Sequence, residues 1–105
     1  MAKTVKENNV TAKFDLGHVV ATPGALKALE DAGQEPSFFL DQHASGNWGS
    51  VNAEDWRLND EALMDGGRLL SVYQTLRGAK LWIITEAADD DGNRDATTIL
   101  LPYEY

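Results

Sequence analysis

Cysteine is missing altogether from these 105 residues, which removes disulfide scaffolds, thiolate zinc sites and cysteine nucleophiles from consideration. Basic side chains are scarce as well: nine Lys and Arg stand against 17 Asp and Glu, for a formal charge of −8. A general phosphate-backbone binder needs the opposite balance, so direct nucleic-acid binding is not expected. No stretch approaches the roughly 18 apolar residues that span a bilayer, and the opening MAKTVKENNV has no apolar core of an export signal. The expectation is a protein of a reducing, cytoplasmic compartment without a membrane partner. The nine glycines are dispersed singly or at element ends, so neither a Walker loop nor a dinucleotide fingerprint fits.

What is present is an ordinary globular composition, 43% hydrophobic and 25% charged, enough for one core and one domain. The acidity is concentrated. Between residues 30 and 65 lie nine acids and one base, Arg57, while the remaining eight acids and eight bases balance.

Residues 1–9 are polar and aperiodic and read as a disordered lead-in, leaving residues 10–105 as the domain. Val10, Ala12, Phe14 and Leu16 alternate with polar residues, the period of a half-buried strand running towards Val20. Thr22-Pro23 is a helix start and Gly33 its left-handed stop. A second helix begins at Glu35-Pro36 and ends near Gly46, with Phe39, Leu40, His43 and Ala44 at helical spacing. A third runs from the Asn52 cap, with Trp56 and Leu63 two turns apart, to Gly66-Gly67. Beyond it come a hairpin broken at Arg77-Gly78, a polar loop over residues 87–95 and a last strand over residues 96–101. The order β-α-α-α-β-β-β predicts an α+β fold, an antiparallel sheet of about four strands with the helices on one face.

The tract Asp89-Asp90-Asp91-Gly92-Asn93-Arg94-Asp95 puts oxygen side chains at alternate positions, as calcium loops do. The required glycine falls on Arg94 and the closing glutamate on Leu100, so a solvated turn is the better reading and no metal is expected. His18 and His43 are the only histidines and lie in different elements, with no nucleophile paired to either by a motif. Gly46-Asn47-Trp48-Gly49 sets an indole between glycines; it either presents a binding residue or folds back over the core. Trp82, in the most apolar strand, is expected in the core. No catalytic residue and no cofactor follow from these patterns.

The strings GHVVATPGALKALEDAG, HASGNWG, GGRLLSVYQT, KLWIITEA and ATTILLPYEY together resemble a family of short acidic proteins from bacterial plasmids and other mobile elements. Members are often labelled restriction-modification subunits, but this chain has neither the length nor the methyl-donor motifs of a DNA methyltransferase. The family carries no assigned biochemical role, so the resemblance implies no particular site residue.

Three functions are therefore weighed. The first is a mobile-element accessory protein, a non-enzyme engaging a protein partner with a basic surface through Glu54, Asp55, Asp60 and Glu61, in the manner of a counter-defence decoy. The second is a small enzyme with a pocket near His43. The third is a small-ligand or peptide-binding module using His43 and Trp48. A homodimer is also considered, through an exposed edge strand at residues 96–101.

Overall fold

A computed structural model describes residues 12–105. The lead-in and Val10 lie outside the described residues. The order of elements is β1 (His18–Ala21), α1 (Pro23–Ala32), α2 (Pro36–Ala44), α3 (Ala53–Asp65), β2 (Leu69–Gln74), β3 (Lys80–Thr85) and β4 (Ala96–Leu100), then a short 3-10 turn, Pro102–Glu104. This is the expected α+β succession.

Each helix has the punctuation its sequence promises. The Thr22 hydroxyl accepts from the Ala25 N–H and Asn52 accepts from the Asp55 N–H, while Gly33 and Gly66 close α1 and α3 with φ of 66° and 86°. These caps satisfy backbone groups that a helix end leaves open.

The four strands lie in the order β1-β4-β3-β2. Strands β2, β3 and β4 form an antiparallel meander, whereas β1 runs parallel to β4, with Val19 opposite Thr97 and Ala21 opposite Ile99. The sheet is therefore mixed rather than wholly antiparallel. Alternation in a sequence reports which face a strand buries, not its direction. With three helices between β1 and the meander, the connection is long enough to return the chain either way. The first strand is also shorter than the alternation implies: residues 12–17 approach the sheet as an irregular extended segment. Strand β4 has neighbours on both sides, so residues 96–101 offer no free edge.

Register puts Leu69, Ser71, Tyr73, Leu81, Ile83, Thr85, Thr97 and Ile99 on one face. All three helices cover that face. Ala25 and Leu29 of α1 and Phe39 of α2 pack with Tyr73, Leu81, Ile83 and Ile99, while Ala62 of α3 packs with Trp48 and Leu69, flanked by Phe14, Val51, Trp56 and Leu63. The opposite face carries Trp82, which is half-buried rather than central and meets the ring of Tyr105 edge-on at 5.6 Å. Its apolar strand is buried by the phase of Leu81 and Ile83, and Trp82 is out of phase with them.

The outer side of β2 is closed. The Ser50 N–H donates to the Val72 carbonyl and the Val72 N–H to Trp48, while the Asn59 amide both donates to and accepts from the backbone of Leu70. Gly49 sits at this crossing with φ 80°, where a Cβ would overlap the Val72 carbonyl oxygen. No helix among the described residues is long and apolar enough to cross a membrane.

Candidate functional site

Helix α3 presents the acidic residues that the sequence singles out. Glu54, Asp55, Asp60 and Glu61 are all exposed, and Leu58 lies among them, 46% exposed. They are not equivalent. Arg57 bridges back to Glu54 at 2.7 Å and forward to Glu61, raising its own already high pKa through those bonds and charges. Asp60 accepts from the indole N–H of Trp48 at 3.0 Å, anchoring α3 to the loop before it. Asp55 and Glu54 lie in the first turn, where the helix dipole favours negative charge.

Folding enlarges this surface. The Ala88 N–H donates to Gly66 at the end of α3, which brings the loop after β3 alongside. Asp65, Asp89, Asp90 and Asp91, all exposed, thereby gather at the end of α3, whereas Glu86 lies with Ile84, Thr98 and Leu100 on the other face of the sheet, and Arg68, exposed as well, lies beside Asp55 and Leu58. The loop keeps itself in shape, since one Asp89 carboxylate oxygen accepts from the N–H groups of Asp91 and Asn93. That is the solvated-turn arrangement. Among the described residues no three His, Asp or Glu side chains are gathered so as to hold a metal.

The base within this loop does not neutralise it. Arg94 is turned inward, 8% exposed, and its guanidinium donates to the carbonyls of Gly67, Glu86 and Ala62. It thus holds together the end of α3 and the end of β3, with carbonyls that α3 leaves open as acceptors. Burial lowers its pKa, and Asp65 nearby acts in the opposite sense.

His43 and Trp48, considered above as presenting residues, are both wholly buried. Neither offers a side chain to a ligand, and the reading of Trp48 as a cover folded onto the core holds. The indole is too large an apolar surface to leave wet when Phe14 can stack on it at 6.1 Å and Ala62 and Leu69 lie beneath. His18 is exposed on β1, opposite Ala96, and does not join His43.

Around His43 lies a chain of hydrogen bonds that the motif search missed. Nδ1 is 2.5 Å from the Ser71 hydroxyl and Nε2 is 2.8 Å from that of Thr85; Thr85 is 2.7 Å from Thr97, which donates to the Leu16 carbonyl at 2.7 Å. The last acceptor fixes the protons as far as Nε2. A carbonyl can only accept, so Thr97 donates to it, Thr85 donates to Thr97, and Thr85 must accept from Nε2–H. On the neutral ring, which burial favours, the proton is therefore on Nε2 and Nδ1 accepts from Ser71. Desolvation first, and Arg94 second, lower its pKa to about 4. The serine and histidine resemble a nucleophile and base, but Ser71, His43, Thr85 and Thr97 are all sealed from solvent. A signal for the chain existed: Ser71 and Thr85 fall on the inward phase of otherwise apolar strands.

No family model, curated protein or solved structure matches this chain.

Proposed function

We propose that this chain is a non-enzymatic accessory protein that binds a partner protein through the acidic surface of α3 and the adjoining loop. The partner has a basic patch of the kind that engages nucleic-acid phosphates. The observation that carries the reading is the exposed acidic run Glu54, Asp55, Asp60, Glu61 and Asp65 of α3, with Asp89, Asp90 and Asp91 beside its end; the exposed bases there are Arg57, paired to Glu54 and Glu61, and Arg68, while Arg94 is committed to carbonyls. Such a run of one sign steers a basic partner from beyond contact distance, and its pull fades with salt because the Debye length is about 8–10 Å at physiological ionic strength. Leu58, exposed within that rim, supplies apolar area where a complex needs it. The mobile-element resemblance fits a counter-defence task in the cytoplasm, with the protein standing in for a polyanion. The sealed state of His43 favours binding over catalysis, since a general base needs access to its substrate.

Capture from host lysate at low and high salt tests this, followed by competition with duplex DNA. The expected result is one retained nucleic-acid-binding protein that is displaced by DNA and by salt. It is lost in the triple variant Glu54→Lys, Asp55→Lys, Glu61→Lys and kept in the variant Glu30→Lys, Glu35→Lys, whose added charge lies elsewhere. Equal retention by both variants would overturn the proposal.

A further inference from the structure

The segment before β1 covers the polar chain without belonging to the sheet. Residues 13–17 are half-buried or exposed throughout and carry no strand pairing. Their ties are few: the Lys13 N–H donates to the Ala44 carbonyl at 2.7 Å, and the Leu16 carbonyl accepts from Thr97. Phe14 supplies the rest, lying edge-on to His43 at 5.3 Å, stacked on Trp48, and beneath the Arg94 guanidinium at 5.7 Å. Gly17 makes the turn into β1 with φ 67°, against the backbone of Arg94 and Asp95.

What this segment seals disfavours a second proton on the ring. Phe14, Trp48, Ser71 and Thr85 face the imidazole, and the charged group that acts on it is Arg94. Lys13 and Asp15 on the segment are exposed, Asp60 is bonded to the far end of Trp48, and Asp65 acts on Arg94. None of the ion pairs among the described residues involves His43 or Arg94. A second proton on the ring would force Ser71 to turn its hydrogen away from Nδ1. It would also place a second cation beside Arg94 in a site without a carboxylate partner.

We propose that residues 13–17 are an acid-released strap: proton uptake by His43 displaces them and opens Trp48 and the Ser71–His43–Thr85–Thr97 chain to water. The apolar cluster of Leu29, Phe39, Leu81, Ile83 and Ile99 contains none of these groups, so the sheet and helices stay folded while the strap leaves. The sign follows from proton counting. The open state takes the proton at the ordinary histidine value of 6.5 and the closed state only near 4, so closure is complete above 6.5 and weakens as pH falls from 6.5 towards 4.

Amide hydrogen exchange across that range, corrected for intrinsic rates, tests the strap on the whole chain. Protection of the Lys13 amide is expected to fall about tenfold per pH unit, one proton being coupled to opening, and to lie well below that of Ile83 in mid-sheet at every pH. His43→Gln, which keeps one donor and one acceptor but cannot take the proton, is expected to flatten the Lys13 profile. Should that variant fail to fold, the ring nitrogens of His43 are followed by NMR in the unaltered protein, where titration of the ring must coincide with loss of Lys13 protection. A level Lys13 profile, Lys13 protection equal to that of Ile83, or ring titration without loss of Lys13 protection would each overturn the proposal.

Discussion

Two halves of one interior lie under the same sheet face and are held by different physics. Beneath α1 and α2, Leu29, Phe39, Leu81, Ile83 and Ile99 meet as apolar surface, an attraction that scales with area and has little direction. Towards α3 and the strap, His43, Ser71, Thr85 and Thr97 meet through hydrogen bonds whose donors and acceptors are ordered from end to end. The first half can be repacked by anything of similar volume. The second accepts only the correct atoms, because a buried donor without an acceptor costs its full desolvation.

The contrast can be broken most forcefully in the apolar half. Ile83→Ala, at a fully buried mid-sheet position, is expected to lower unfolding free energy by about 2–5 kcal/mol, read from denaturant midpoints at unchanged slope. Ile99→Val, which keeps the shape and loses one methylene, should cost about 0.5–1.5 kcal/mol. In the polar half a change of similar size behaves otherwise. Thr85→Val preserves volume but leaves Nε2–H of His43 without its acceptor, and about 1–3 kcal/mol is expected. Thr85→Val costing no more than Ile99→Val would dissolve the distinction between the halves. The smallest effect belongs to the surface: Arg57→Ala removes both intrahelical pairs of α3, and because these are exposed its shift of the denaturant midpoint is expected to be smaller than that of Ile99→Val and to diminish in high salt.

How far the sequence speaks for itself differs between the same two halves. The apolar half was legible, because Leu81 and Ile83 alternate and Thr22, Pro23 and Gly33 punctuate α1 with residues whose preferences are local. The polar half was not. Ser71, His43, Thr85 and Thr97 stand as far as 54 positions apart, and no local propensity reports that three strands and a helix will join them in one chain of hydrogen bonds. Alternation likewise carried Phe14 and Leu16 into a strand, although their partners prove to be Trp48, His43 and Thr97 rather than a neighbouring ladder. The acidic surface was half legible. Glu54, Asp55, Asp60 and Glu61 share one helix, but the contribution of Asp89–91 depended on the docking of Ala88 against Gly66.

The closure of β2 by Ser50 and Asn59 also limits how these molecules could join one another. A strand-to-strand polymer requires each unit to offer two free edges, one for the molecule ahead and one for the molecule behind. Here one end of the sheet is already filled by the chain's own loop and amide, and among the described residues the open edge is the outer side of β1. Among the described residues the fold therefore has a valence of one for such growth: two copies meeting at β1 would satisfy each other and leave no template for a third.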